Sequence, residues 1–400
     1  MNAQVPANDS QAVRFILDGE VVRVSGLPPS TTVLDYLRDV TGRTGTKEGC
    51  AEGDCGACTV VLGELAPDGT GISYRAVNSC IRFLPTIDGK ELVTVESLQG
   101  PDGSLHPVQR ALVDCHASQC GFCTPGFVMS LFALYLARES PARAEVLTAL
   151  AGNLCRCTGY RPIIDAGCRM FEYPQPQRWS RADAQSAARA QQLRALQRPA
   201  GSALRFAGFH APRTLEELAS VLEAAPDSLL LAGGTDVGLW ATKQLRDLPA
   251  MVYLGEVREL QEITAGDAEL RIGAGVSLTS GWRALVAQYP ALAEQALRFA
   301  SPPICNSGTL CGNIANGSPI GDSMPALIAL GAELELRHGT RHRRIPLERL
   351  YLGYQKSDLA PGEFVVSVLI PPPRAARLFA SYKHAKRIDQ DISAVCGAFA

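Results

Sequence analysis

Residues 49–60 read GCAEGDCGACTV, which puts Cys50, Cys55 and Cys58 at a C-x4-C-x2-C spacing, and a fourth thiol, Cys80, follows a strand-like run. Gly49, Gly53 and Gly56 interleave the thiols. Glycine lets a loop bend through positive φ and turn its amides toward sulfur. The chain holds 13 cysteines in 400 residues, and eight of them fall into two tight groups before residue 158. The N-terminal MNAQVPANDSQ lacks the basic start and apolar core of a secretory signal. The expectation is a cytoplasmic chain whose clustered thiols bind metal and do not form disulfides.

The spacing of Cys50, Cys55, Cys58 and Cys80 is that of a plant-type 2Fe–2S cluster, in which one loop wraps the cluster and a last thiolate arrives from elsewhere. Loop amides aimed at sulfur would favour the reduced cluster. Tetrahedral zinc sites usually use two short C-x2-C knuckles, and this loop has one. Around it, Ala12–Val24 alternates as a hairpin with Asp18-Gly19 as its turn, and Thr31–Val40 reads as a helix capped by Thr31 or Thr32. TVVLGEL, YRAVNSCIRFL and LVTVESL complete a β-rich domain over 1–98.

Residues 99–171 turn helical, with apolar residues three and four apart in HPVQRALVDCH, PGFVMSLFALYLARES and RAEVLTALAGNLCR. Cys120 and Cys123 open one of these helices, where Pro125 suits the first turn, and Cys155 and Cys157 close a later one. Helix N-termini offer free amides to thiolates. Such a four-sulfur pocket fits zinc as well as an iron–sulfur cluster. Its place directly after a ferredoxin-type loop favours a second redox centre in series. Residues 172–203, rich in Pro, Gln, Arg and Ala, read as an interdomain linker, partly helical. An α/β pattern follows over 204–376, and 377–400 reads as the start of an extension that ends, truncated, in the strand-like ISAVCGAFA.

Composition narrows the classes further. Hydrophobic residues are 46% and charged residues 20%, the balance of a globular chain, and a net charge of -2 leaves no broad footprint for nucleic acid. The longest apolar stretch, Gly126–Ala137, is too short to span a bilayer. In the α/β region, the strand-like LLAGGTDV (230–237) enters a glycine turn of the kind that lets backbone amides approach a pyrophosphate, and it is not the G-x-G-x-x-G fingerprint. A second run, SGTLCGNIANGSPIGD, sets Gly308, Gly312, Asn313, Ser318 and Asp322 as flexible backbone and short polar groups suited to phosphate and ribitol. The six histidines are scattered, and no residue is expected to be catalytic.

GCAEGDCGACTV, SQCGFCTPGF and NLCRCTGYRPI resemble the iron–sulfur signatures of the xanthine dehydrogenase family of molybdenum hydroxylases. The resemblance extends over essentially the whole chain. It implies an α+β multidomain fold: a β-grasp plant-type 2Fe–2S ferredoxin domain, an all-helical 2Fe–2S domain, and the family's α/β FAD-binding domain, which is not Rossmann. It implies two 2Fe–2S clusters and FAD in this chain, molybdopterin on a large partner subunit, a heterotetramer, and NAD as acceptor. By position, it carries a pterin contact onto Gln119. It carries flavin contacts onto Leu230, Leu231, Ala232, Gly233, Gly234, Thr235, Asp236, Val237, Phe299, Gly308, Thr309, Leu310, Cys311, Gly312, Asn313, Asp322 and Lys383.

Two positions depart from the family pattern: Cys311 stands where a glycine is common and Cys305 where a basic residue is common. With Cys115, Cys168 and Cys396, they read as small buried hydrophobes. Two alternatives stay open. One is the same relay in an aldehyde or N-heterocycle hydroxylase; the other is a zinc-stabilised binding module.

Overall fold

The protein is described by a computed structural model covering residues 9–66, 69, 71–199, 201–354, 356–373 and 378–400. The chain forms two units. Unit 1 contains residues 1–202 with the short segments 237–246 and 302–304, and unit 2 contains 203–236, 247–301 and 305–400.

Unit 1 begins with β1 (Val13–Leu17) and β2 (Glu20–Val24), paired antiparallel. Asp18 and Gly19 both adopt positive φ, 56° and 88°, as a two-residue primed turn requires. Helix α1 (Val33–Asp35) is capped by Thr32, not Thr31: Asp35 N–H donates to Thr32 Oγ1 at 3.0 Å, and Thr32 N–H to the Asp35 carboxylate at 3.1 Å. A π-helical turn, Tyr36–Val40, extends it. Strands β3 (Thr59–Leu65), β4 (Ile72–Asn78) and β5 (Glu91–Val93) complete a sheet ordered β2-β1-β5-β3-β4, in which only the β1–β5 pair is parallel.

Four helices follow: α2 (Pro107–Asp114), α3 (Thr124–Ala137), α4 (Arg143–Leu150) and α5 (Arg161–Arg169). Helix α3 is buried along most of its length, and its Phe127, Leu131 and Phe132 share one core with Val61 and Val93 of the sheet and Val146 and Ile163 of α4 and α5. The sheet and the helices therefore form one packed body.

Residues 172–199 of the stretch 172–203, expected as a linker, are built into that body. They carry α6 (Arg181–Ala184) and α7 (Ala187–Leu196), and their Trp179 is among the largest fully buried side chains. Gln185 pairs with both backbone groups of Ile72 on the edge strand β4, accepting from its N–H at 2.9 Å and donating to its C=O at 2.7 Å. That contact satisfies an otherwise open sheet edge. Arg198 grips Asp88 bidentately at 2.6 and 2.9 Å.

His106 is structural. Its Nδ1 accepts from Val108 N–H at 3.3 Å, capping α2, and its Nε2 donates to Trp179 C=O at 3.3 Å. Burial lowers its pKa from 6.5 to about 4. The unfolded chain therefore takes up this proton first as the pH falls. Stability is complete above the unfolded value of 6.5 and is lost as the pH drops toward 4, by about 3 kcal/mol. Urea midpoints compared between wild type and His106→Asn at pH 7 and pH 4.5 are expected to show the variant losing less stability across this window; equal losses would remove His106 as the cause.

Unit 2 opens with β6 (Leu204–Phe206), β7 (Phe209–Ala211), helix α8 (Leu215–Ala224) and β8 (Leu229–Leu231). Helix α9 (Val237–Thr242) belongs to unit 1. Strand β9 (Met251–Tyr253) completes a sheet ordered β6-β7-β9-β8, with β7, β9 and β8 parallel. An antiparallel sheet is ordered β10-β11-β16-β12-β13, with β10 (Ile263–Ala265), β11 (Leu270–Gly273), β12 (Glu333–His338), β13 (Arg341–Pro346) and β16 (Phe364–Ile370). Its central strand β16 is buried at every residue.

The core of these sheets is shared by α10 (Leu278–Gln288), α11 (Ala293–Leu297), α13 (Leu310–Asn316) and α14 (Ser323–Leu330), and α12 (Pro302–Ser307) is divided between the units, its residues 302–304 belonging to unit 1. Two ribbons remain, β14 (Tyr351–Gly353) with β15 (Lys356–Ser357), and β17 (Ala380–His384) with β18 (Val395–Phe399). Among the described residues, no helix is long and apolar enough to cross a membrane.

Candidate cofactor sites

The first thiol set forms where the loop after the π-turn meets the end of β4. Cys58 and Cys80 are buried with their sulfurs 3.3 Å apart. Cys50 is hydrogen-bonded to the Cys55 and Cys80 thiols, and three loop amides, from Glu52, Asp54 and Cys55, converge on its sulfur at 3.4, 3.4 and 3.3 Å. These donors hold the Cys50 thiol far below the ordinary thiol range, while the Cys55 thiol, hydrogen-bonded to Cys50 and partly buried, is pushed up. Ala51 sits at φ 55°, so the wrap is tight enough to force a side-chain-bearing residue into the left-handed region.

The second set lies at the start of α3 and in the loop after α4. Cys120 and Cys157 are exposed, with sulfurs 3.4 Å apart, and Cys123 and Cys155 are half-buried and hydrogen-bonded to each other. The Phe122 amide lowers the Cys120 pKa, whereas burial pushes the Cys123 thiol up to about 12. Among the described residues, no group of three or more His, Cys, Asp or Glu side chains is arranged around a single ion. In the first set the contacts run in a chain, Cys55 to Cys50 to Cys80 to Cys58, and in the second Cys120 meets Cys157 and Cys123 meets Cys155, so four sulfurs gather at each place, the number a 2Fe–2S cluster takes.

The two sets are stitched together. Leu154 N–H donates to Cys55 C=O at 3.0 Å, so one hydrogen bond joins the backbone of Cys55 to the residue just before Cys155. Asn153, buried, donates to Gly56 C=O at 3.1 Å and accepts from Ser130 of α3 at 2.6 Å. Two glycines permit this approach. A Cβ on Gly56, which has φ 69°, would lie 2.1 Å from Gly152 C=O, and a Cβ on Gly126 would lie 2.1 Å from Gly56 C=O. Still within unit 1, Thr242 donates to Ala51 C=O at 2.7 Å and Lys243 to Cys50 C=O at 3.1 Å. Asn153 lies inside the run NLCRCTGYRPI but carries no thiol, and Ser130, Thr242 and Lys243 lie in no thiol-bearing run, so none of the four is marked by ligand chemistry of its own. Gln119, beside Cys120, is exposed.

In unit 2, the two glycine-rich segments meet. A Cβ on Gly233 would lie 2.1 Å from Ser307 C=O and 2.5 Å from Gly308 Cα, so the turn after β8 rests directly on the start of the second segment. Leu278 N–H holds Gly308 C=O at 2.8 Å, and Thr309 caps α13 through Gly312 N–H at 3.0 Å. Burial raises the pKa of Asp236 in the same turn.

Other expected flavin residues are differently placed. Leu310 and Cys311 are buried in the unit 2 core, and Phe299 packs on Trp282 with ring centroids 5.3 Å apart. Asp322 and Lys383 form a buried ion pair at 2.7 Å, with Ser393 donating to the second carboxylate oxygen at 2.6 Å. The backbone of the cradle thus suits a pyrophosphate, while the side chains of Leu310 and Cys311 serve the core.

The cysteines outside the thiol sets divide. Burial pushes Cys305, Cys311 and Cys396 up to about 12, so they stay protonated. Of the five, Cys311 alone is fully buried; Cys115, Cys305 and Cys396 are half-buried and Cys168 is exposed, contrary to the expectation of small buried hydrophobes, and Arg169 reaches Cys115 at 3.6 Å.

Comparison with known proteins matches three families along the chain. Residues 15–82 match a 2Fe-2S iron-sulfur cluster binding domain, residues 94–168 a 2Fe-2S binding domain, and residues 204–373 the FAD binding domain in molybdopterin dehydrogenase. Similar proteins include xanthine dehydrogenase from Emericella nidulans, 33% identical over 96% of this chain and 32% of that protein. Xanthine dehydrogenase 2 from Arabidopsis thaliana is 32% identical over 92% of this chain and 32% of its own length. Xanthine dehydrogenase/oxidase from Mus musculus is 31% identical over 95% of this chain and 32% of its own length. The chain spans about a third of the length of these relatives. Its domains are those that bind two 2Fe–2S clusters and FAD.

Proposed function

Since the chain belongs to the molybdopterin dehydrogenases, whose two 2Fe–2S domains and FAD-binding domain it carries, we propose that it is the iron–sulfur/flavin electron-transfer subunit of a xanthine dehydrogenase. In this reading its partner is a molybdopterin-binding large subunit, paired with it in a heterotetramer, and its acceptor is NAD. The cofactors supply one-electron steps at iron and a two-electron step at the flavin. The protein's own residues hold them in order and tune them.

The observation that carries the reading is the contrast between the two thiol sets. Cys120 and Cys157 open to the surface, where a partner's electrons can enter; Cys58 and Cys80 are buried; and the Leu154–Cys55 hydrogen bond links the two loops. Cys120, Cys123, Cys155 and Cys157 would hold the first cluster in the sequence and Cys50, Cys55, Cys58 and Cys80 the next. The turn Leu230–Val237 and the segment Gly308–Asn313 would hold the flavin, with Gln119 facing the pterin side. The loop amides on Cys50 favour the reduced cluster without any group having to move.

The test is the chain purified without oxygen. The expected result is two iron atoms per cluster, about four per chain, one FAD, and visible bands that bleach with dithionite. Cys58→Ser and Cys157→Ser are each expected to remove one cluster and about half of the iron. Zinc in place of iron, with no flavin, would return the chain to a binding module. With the partner present, xanthine-dependent NAD reduction supports the full reading, and turnover of only aldehydes or N-heterocycles moves it to a related hydroxylase.

A further inference from the structure

Tyr160 stands five residues beyond Cys155 and has the backbone of a residue held against its preference. Its φ is 67° and its ψ is -35°, outside the region open to an ordinary side chain. Such strain persists only where surrounding contacts over-determine it. Here the contacts all converge on one ligand loop. The Tyr160 hydroxyl accepts the Cys155 N–H at 3.0 Å, Tyr160 N–H donates to Thr158 Oγ1 at 3.1 Å, and that same hydroxyl lies 3.2 Å from the Cys155 sulfur. The Tyr160 ring is steadied edge-on by buried Phe127 of α3, with centroids 6.4 Å apart.

The consequence is a division of the loop's amides. The Cys155 amide is tied back to the phenol, and the amides of Cys157 and Thr158, together with the Thr158 hydroxyl, are left facing the Cys155 sulfur. Donors aimed at a ligand sulfur stabilise the more negative, reduced cluster.

We propose that Tyr160 is a positioning residue that clamps the Cys155–Thr158 loop through its hydroxyl, aims these donors at the Cys155 sulfur, and so raises the reduction potential of the cluster held by Cys120, Cys123, Cys155 and Cys157. The inference rests on the assignment of Cys155 as a cluster ligand. Removing the hydroxyl alone lets the loop relax and weakens the donor set. Tyr160→Phe is then expected to lower the reduced-to-oxidised ratio of that cluster at a fixed potential by about tenfold, which is about 59 mV for a one-electron couple. The other cluster should be unmoved.

The experiment is potentiometric titration of the full chain followed by the electron spin resonance of each cluster. Thr158→Val should shift the same cluster downward, and Thr158→Ser, which keeps the hydroxyl, should titrate as wild type. A merely structural role would lower stability or iron content without moving one potential selectively. An unchanged or raised potential in both Tyr160→Phe and Thr158→Val overturns the proposal while leaving the ligand assignment intact. A Cys155→Ser chain that keeps a normal second cluster signal overturns both.

Discussion

Gly56→Ala is expected to abolish normal loading of both clusters. The new methyl would stand 2.1 Å from Gly152 C=O and 2.6 Å from the Asn153 side chain, in a residue whose φ is already 69°. Overpacking against backbone costs about 1–3 kcal/mol, and left-handed backbone for a side-chain-bearing residue about 1–2 more. Neither cost can be relieved locally, because the clashing carbonyl sits three residues before Cys155 and Gly56 itself follows Cys55. The relaxation that makes room must therefore separate the two thiol-bearing loops and stretch the Leu154–Cys55 hydrogen bond. Iron per chain and the resonance signals of both clusters are the readouts. Gly126→Ala, which meets Gly56 C=O from the α3 side, should reproduce the defect. Wild-type iron and signals in both variants would show that the close approach of the loops is dispensable.

The second large effect belongs to Arg189. Its guanidinium lies 3.9 Å from the centroid of the Trp179 ring and pairs with Glu91 at 2.7 Å and Asp183 at 2.9 Å. Glu91 lies on the central strand β5 with its side chain 2% exposed, and it also accepts from Tyr74 at 2.9 Å. Removing one member of a buried pair leaves the other charge without compensation, at a cost of about 3–5 kcal/mol. Arg189→Met, which keeps much of the side-chain length over the indole, is expected to destabilise unit 1 by this amount. Arg189→Met with Glu91→Leu should recover part of it, because the stranded charge goes too. Hydrogen exchange at the amides of β3 and β5 reads the change in unit 1 without interference from unit 2. If the single and double variants exchange at the same rate as wild type, the ion pair contributes nothing to the anchoring of α7.

These two sites differ in how they could be read beforehand. Gly56 stands among closely spaced thiols, so it is conspicuous in the sequence, and the turn-forming reason for a glycine there agrees with its positive φ. The steric reason, a carbonyl from nearly a hundred residues away, has no local signal. Arg189 looked like one more polar residue of a linker. Long cationic side chains are usually solvated, and composition cannot tell a solvated arginine from one seated on a buried indole. For the same reason Trp179, Gln185 and Arg198 passed unnoticed. The two glycine-rich segments of unit 2 show a milder version: their glycines do meet, at Gly233 and Gly308, but Leu310 and Cys311 turn into the core because α13 buries one face there.

By itself the sequence determined the features that short-range chemistry dictates. The hairpin turn follows from the Asp18-Gly19 dipeptide between two alternating runs, the start of α1 from the threonines at 31 and 32, and the grouping of eight thiols from their spacing. Only the tertiary structure decided that Cys58 and Cys80 are buried while Cys120 and Cys157 face outward, that His106 is an uncharged cap, and that Trp179, Gln185 and Arg198 of the expected linker fasten it to the sheet and helices of unit 1. The reason is range. Spacing reports contacts within a few residues, whereas burial and the partnering of charges depend on which distant segments the packed core brings together.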